Sequence, residues 1–228
     1  MQQPESHSTV FKAGLDSVPA LYGIGMKNKK EIVMKLKHLL AVVLAAVLSL
    51  SGMALSQEPG QLKPGDMLPD IRLSFPNDKE YQTYLGIEGT APETFQIPQI
   101  QADIVLIEIF SMYCPHCQRE APLVNTFFEK LQSDPQLNQQ IKLIGIGVGN
   151  SDYEVSFFQK KYNTRFPLFS DPNYIIHKQI GEVRTPFFIG VKARGDDRGK
   201  IFLAHLGGIE GVDEFLSVVL KASGLKSK

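Results

Sequence analysis

The chain has 228 residues, 24 Lys+Arg balanced by 24 Asp+Glu, and a hydrophobic fraction of 43%. That length and apolar content suit one large domain or two small ones, and zero net charge gives no reason to invoke nucleic acid or anionic lipid as a partner. The only two cysteines, Cys114 and Cys117, are too few for a zinc site built on paired C-x-x-C motifs or for the several long bridges of a small secreted scaffold.

Residues 1–33 carry no readable element. A signal peptide seldom begins so late, so this stretch reads as a non-native N-terminal extension, with Met26 or Met34 as the true start. Residues 34–56 read as a signal peptide. Lys35, Lys37 and His38 form a basic n-region, residues 39–50 a twelve-residue apolar h-region, and residues 51–56 a small-residue end. Cleavage is expected between Ala54 and Gln57, which predicts a periplasmic protein. The alternatives are an uncleaved inner-membrane anchor, for which the apolar run is short, and a buried helix of the domain. No cysteine follows the h-region to take a lipid. Residues 1–56 hold six Lys and three acids, leaving 18 Lys+Arg against 21 Asp+Glu, a net of −3. The remaining length suits one domain.

Residues 57–69, rich in Pro, Gly and Gln, read as a linker before a domain over 70–225. Short strands are expected at 70–75 and 95–100. Residues 104–110 form a nearly continuous apolar run, as expected of a buried central strand. Leu123, Val124, Phe127, Phe128 and Leu131 recur at helical spacing. Residues 141–148 form a second β-rich run containing Gly145 and Gly147. Ser151 and Glu154 make a capping box for a helix through Tyr162. A short strand at 166–169 and a short helix at 173–180 follow. Residues 187–191 and 201–205 pair as a hairpin across a Gly- and Asp-containing loop. Val212, Phe215, Leu216, Val219 and Leu220 mark a last helix. Strands alternating with helices imply an α/β fold with a central mixed sheet covered on both faces.

Chemistry concentrates at Cys114-Pro115-His116-Cys117. Cys114 ends the turn after the central strand and Cys117 opens the next helix, where unpaired N–H groups and the helix dipole favour negative charge. A thiolate is the nucleophile of disulfide exchange, so this placement lowers the pKa of Cys114. Cys117, one turn further on, is placed to resolve a mixed disulfide. Pro115 suits the first helical turn, and His116 can bring a positive charge or a hydrogen bond to the thiolate. Gln118 after the second cysteine excludes a c-type haem. Glu108, within an apolar run, is expected to be buried, with a raised pKa and the capacity to exchange a proton with Cys117. Glu120 is expected on the exposed helix face, and His177 and His205 are ordinary surface or core residues.

The segment 108–122 resembles the active-site region of the thioredoxin superfamily. Glu108 sits where those proteins carry a buried acid, Tyr113 where they carry an aromatic, and Pro122 where a proline kinks the active-site helix. Glu120 matches a glutamate of the periplasmic TlpA- and ResA-like reductases, for which the resemblance implies a proton-shuttle role. Thr185-Pro186 matches the superfamily's cis-proline element, which packs against the cysteines. That match assigns Thr185, with Tyr113, to client contact through an extended segment. The likeness extends to residues 65–70 and to the strand–helix unit at 141–162. It implies a thioredoxin-like fold with an N-terminal strand extension and an inserted strand–helix unit. It further implies a cofactor-free, metal-free thiol–disulfide oxidoreductase acting on protein clients, monomeric, with an inner-membrane electron donor or acceptor.

Three departures stand out. Glu108 replaces an Asp, the loop 193–200 is long, and Pro115-His116 is the dipeptide of the oxidising DsbA family. The last leaves the direction of electron flow open, with a reductase or isomerase role favoured. A copper-delivery protein using both cysteines and His205 is the alternative. A peroxiredoxin would need a P-x-x-x-T-x-x-C context that residues 107–114 lack.

Overall fold

The structure, a computed structural model, describes residues 33–34, 37–40, 60–87 and 93–225. The chain divides into two units, residues 1–56 and 57–228. In the first, residues 33–34 and 37–40 are helical, with His38 Nδ1 2.8 Å from the Met34 carbonyl oxygen. The rest of the proposed leader, and the extension before it, lie outside the described residues. No helix among the described residues is long and apolar enough to cross a membrane.

In the second unit the elements run β1 (Arg72–Ser74), α1 (Lys79–Leu85), β2 (Thr94–Gln96), β3 (Ile104–Phe110), α2 (Pro115–Ser133), α3 (Pro135–Gln140), β4 (Ile141–Val148), α4 (Asp152–Tyr162), β5 (Leu168–Asp171), α5 (Ile175–Gln179), β6 (Phe187–Lys192), β7 (Ile201–Leu206) and α6 (Val212–Ser223). The main sheet has the order β5-β4-β3-β6-β7, while β1 and β2 form a separate antiparallel pair. Strands β3, β4 and β5 are parallel, and β6 and β7 run antiparallel to their neighbours. The mixed α/β fold expected from the sequence is the fold observed.

Strand β3 is central because every one of its residues is buried, which only a strand paired on both edges and covered on both faces allows. Its alternation splits the core. Val105, Ile107 and Ile109 pack with Ile144, Ile146 and Ile189, whereas Ile104 and Leu106 pack with Val124, Phe127 and Leu131 of α2. Burying Val124, Phe127, Phe128 and Leu131 stabilises the helix–sheet contact by at most about 6–12 kcal/mol. Glu108 shares the parity of Leu106 and Phe110, so the strand's two-residue period aims its carboxyl at the α2 side.

Gly147 in β4 reflects close approach, because a Cβ there would stand 2.8 Å from Val155 Cγ2 and 3.1 Å from the Phe110 ring. The Ser151–Glu154 capping box is present as expected, closed in both directions.

Four readings of the sequence need correction. Residues 95–100 are not a single strand, since Pro98, which lacks an N–H, closes the ladder and Ile97–Gln99 coil into a 3-10 turn. The helix Lys79–Leu85 went unread because Tyr81, Tyr84 and Leu85 are too few for a clear period, although Asp78 caps it by accepting from the Glu80 N–H. Helix α3 was likewise missed, a six-residue turn capped by Asp134. Finally, residues 60–69 are not a free linker. Gly65 N–H donates to the Ile201 carbonyl at 2.9 Å, Ile201 N–H to Asp66 at 2.9 Å, and Leu68 N–H to Gly199 at 2.8 Å. Gly199 at the end of the long loop after β6 and Ile201 at the start of β7 provide those partners and dock the N-terminal segment.

Candidate active site

Cys114 caps helix α2. It adopts an extended conformation, and its sulfur lies 3.5 Å from the Cys117 N–H. Pro115 follows at the first helical position, where the missing N–H costs nothing. Both thiols are free, Cys114 partly exposed and Cys117 buried. The turn before them is held from β4 by Asn150, a fully buried side chain whose Oδ1 accepts the Met112 N–H at 2.8 Å. Gln118 Nε2 donates to the Met112 carbonyl at 2.7 Å. In the sequence Gln118 served only to exclude a c-type haem and nothing marked Asn150, because isolated amides carry no pattern that reveals such a role.

The Thr185–Pro186 peptide bond is cis, and the Cys114 sulfur is 3.4 Å from the Thr185 carbonyl oxygen. The two segments are 71 residues apart in sequence, and adjacency of β3 and β6 brings them together. The Pro186 carbonyl accepts the Gly207 N–H at 3.0 Å, which ties the element to the end of β7.

Burial raises the Cys114 thiol. Hydrogen bonds from Thr185, from Cys117 and from the His116 N–H outweigh it, so the thiol ionises below its ordinary value. Cys117 goes the other way, since burial first, then the neighbouring Cys114 and Glu108, push its thiol strongly up. The pair therefore splits into an accessible thiol that ionises more readily than usual and a buried thiol that holds its proton. Glu108 is 3% exposed and its Oε1 has no hydrogen-bond partner. Burial, with the nearby charge of Glu120, pushes its carboxyl up to about 8. An orphaned carboxyl oxygen in the layer that holds Cys117 is a reservoir for one proton.

One expectation changes. Glu120 is half-buried rather than exposed, and it accepts the Ile209 N–H. Burial raises its carboxyl as well. Gly208 makes room for it, because a Cβ there would fall on the Glu120 carboxylate. His116 Nδ1 lies 2.9 Å from Arg119 Nη2, so the arginine one turn along the helix faces the imidazole.

Tyr113 is 63% exposed, and its hydroxyl donates to Glu154 at the start of α4. His116, Arg119, Arg184, Thr185, Pro186 and Leu206 line an open groove of about 410 Å³ beside Cys114. A larger cleft of about 610 Å³ around Tyr84 and Lys142 shares no residue with this centre. His205 is turned away from the cysteines, with Nε2 3.0 Å from the Gly208 carbonyl oxygen and its ring against Phe215. Among the described residues no three His, Cys, Asp or Glu side chains are grouped to hold a metal ion.

Residues 64–209, more than half the chain, match the AhpC/TSA family. The chain belongs to that family. A curated relative, the thiol-disulfide oxidoreductase ResA of Halalkalibacterium halodurans, is 24% identical over 135 residues, which cover 58% of this chain and 72% of the relative. Two solved structures share the fold. One is a candidate thiol:disulfide interchange protein DsbE from Chlorobium tepidum, with TM-score 0.53 and 17% identity, covering 72% of this chain and 99% of the other. The second is the thioredoxin domain of a thiol-disulfide oxidoreductase from Bacteroides vulgatus, with TM-score 0.51 and 14% identity, covering 70% and 99%. The thioredoxin-like fold read from the sequence is thereby established for this AhpC/TSA member.

Proposed function

We propose that this protein is an exported thiol–disulfide oxidoreductase that exchanges disulfides with protein clients through Cys114 and Cys117. The observation that carries the reading is the division of labour in the pair: one accessible sulfur at a helix N-terminus beside the Thr185 carbonyl that ionises more readily than usual, and one buried thiol that resists ionisation.

In the reductive direction the Cys114 thiolate attacks one sulfur of a client disulfide. A Cys114–client bond forms, the client disulfide breaks, and the second client sulfur leaves as a thiolate that takes a proton. Cys117 then loses its proton, with the ionised form of Glu108, populated as pH approaches 8, as the acceptor, and attacks the Cys114 sulfur. The mixed disulfide breaks, the client leaves with two thiols, and the protein keeps a Cys114–Cys117 disulfide. Two electrons have moved to the client, and an inner-membrane thiol donor restores the pair. Thr185 offers main-chain groups to an extended client segment, and exposed Tyr113 offers it an aromatic surface.

A reductase or isomerase role is favoured over an oxidase. The match of Glu120 and of the strand–helix unit at 141–162 to the TlpA- and ResA-like reductases supports that reading, against the oxidase-type Pro115-His116 dipeptide. The potential is accordingly expected between those of thioredoxin and DsbA, about −270 and −120 mV, as measured by equilibration with glutathione. Export rests on the n-, h- and c-region order of residues 34–56, and N-terminal sequencing of the periplasmic form should find cleavage between Ala54 and Gln57.

The roles of the two sulfurs are tested by trapping. Cys117→Ser should accumulate mixed disulfides with clients and Cys114→Ser should not. Equal trapping by both variants would overturn the assignment.

A further inference from the structure

The groove beside Cys114 carries a charge pattern that the exchange chemistry does not require. Arg119 and Arg184 approach it from different elements, one from α2 and one from the segment before Thr185, and both are exposed. Among the described residues neither forms an ion pair with a carboxylate within 4.0 Å. Arg119 commits one N–H direction to His116, and its remaining donors stay free, since a guanidinium carries five. Glu120 is the one acid lining the groove, and one oxygen of its half-buried carboxylate accepts the Ile209 N–H. The groove therefore shows two exposed guanidiniums to an incoming chain against one half-buried carboxylate. Leu206, 48% exposed, supplies an apolar floor beside them.

We propose that this groove selects clients whose reactive cysteine is flanked by acidic residues. The proposal rests on the reading of Cys114 as the attacking sulfur. Position decides the sign of the effect. A client chain that presents sulfur to Cys114 and pairs with the backbone at Thr185 lays its flanking residues across Arg184 and Arg119. Carboxylates there gain charge-assisted hydrogen bonds from planar, forked donors. Lysines there meet like charge. The two guanidiniums also offset the repulsion between an acidic client and the Cys114 thiolate, which would otherwise disfavour such a partner.

Magnitude follows from exposure. Solvent-exposed pairs in the lower part of their usual range contribute a factor of about 1.5 to 2.1 each. Two attractive pairs set against two repulsive ones then multiply to a discrimination of about five- to twentyfold at low ionic strength. Salt should erase most of it, because the screening length shrinks from about 10 Å at 0.1 M to about 3 Å at 1 M.

The test uses two disulfide-linked peptide dimers, identical except that the cysteine is flanked by Asp in one and Lys in the other. Stopped-flow rates of their reduction by the reduced protein are measured at low and high salt. Each rate is divided by that for 2-mercaptoethanol under the same conditions, which removes differences in leaving-group acidity. The normalised Asp/Lys ratio should be about five to twenty at low salt and fall towards one at 1 M. Arg119→Gln with Arg184→Gln should collapse the low-salt ratio, and the Lys replacements at the same positions should preserve much of it. A ratio near one at low salt, or a ratio unmoved by the double Gln variant, overturns the charge selection and leaves the disulfide-exchange reading intact. Failure to reduce either peptide would overturn that reading, and the selection with it.

Discussion

Removing the Glu108 carboxyl while keeping its shape, by Glu108→Gln, should flatten the pH dependence of stability. In the folded protein this group ionises at about 8, against 4.5 ordinarily, because burial and then the charge of Glu120 oppose its ionisation. Between those values the native state holds a proton that the unfolded chain has released. Stability from this group is therefore fully present below pH 4.5 and is lost as pH rises through 8. The slope is about 1.4 kcal/mol per pH unit where the two states differ by one whole proton. From pH 5 to pH 8 the loss comes to about 3.5 kcal/mol. The Gln variant does not titrate, so its stability relative to wild type should improve by that amount over the same interval. Urea unfolding of the reduced proteins at pH 5, 6, 7 and 8 reads this directly, as a relative midpoint shift of roughly 1–2 M. A gap between variant and wild type that stays the same at pH 5 and pH 8 would refute the claim that the carboxyl is held protonated by burial. The variant should also resolve mixed disulfides more slowly, because Cys117 loses its proton acceptor.

Three further outcomes are expected. Gly208→Ala should cost about 1–3 kcal/mol by driving a methyl into the Glu120 carboxylate, and Glu120→Ala in the same chain should recover most of it; additive costs in the double-mutant cycle would show that the two do not touch. Tyr84→Phe should cost about 1–3 kcal/mol, because the Tyr84 hydroxyl accepts the Leu143 N–H at 2.8 Å and donates to the Leu143 carbonyl at 3.3 Å where β4 has no β5 partner; a loss under about 0.5 kcal/mol in urea unfolding would discount that plug. Alkylation with iodoacetamide followed by peptide mapping should label Cys114 and spare Cys117, with the rate for Cys114 persisting below the pH range of an ordinary thiol; equal labelling would contradict the split.

The run at 104–110 and the C-x-x-C that follows were legible because each is local. A seven-residue apolar strand has to lie inside a sheet, and a cysteine before a helix has to meet that helix's free N–H groups. The capping box at Ser151 was legible for the same reason. Burial of Glu108 followed from the strand around it. Helix α1 was not legible, since its stability comes from packing Tyr84 against Phe128 and from the Tyr84 hydroxyl on β4, not from its own periodicity. The docking of residues 65–68 was hidden because glycine- and proline-rich composition describes a turn-filled docked segment as well as a free one.

By itself the sequence determined which atoms are the candidates to react. Two cysteines at helical spacing, a proline where the first turn tolerates one, and an acid in a buried strand are choices of residue type and local order. Only the tertiary structure decided how those atoms are tuned. Strand β6 brings Thr185 to Cys114 across 71 residues, and the end of β7 turns Glu120 away from solvent through the Ile209 N–H. Helix α2 carries Arg119 round to His116 and sets a guanidinium beside the imidazole. The physical reason is range. Periodicity and capping act within a turn or a strand, whereas desolvation and hydrogen bonding at the cysteines depend on whichever distant segments the fold packs against them.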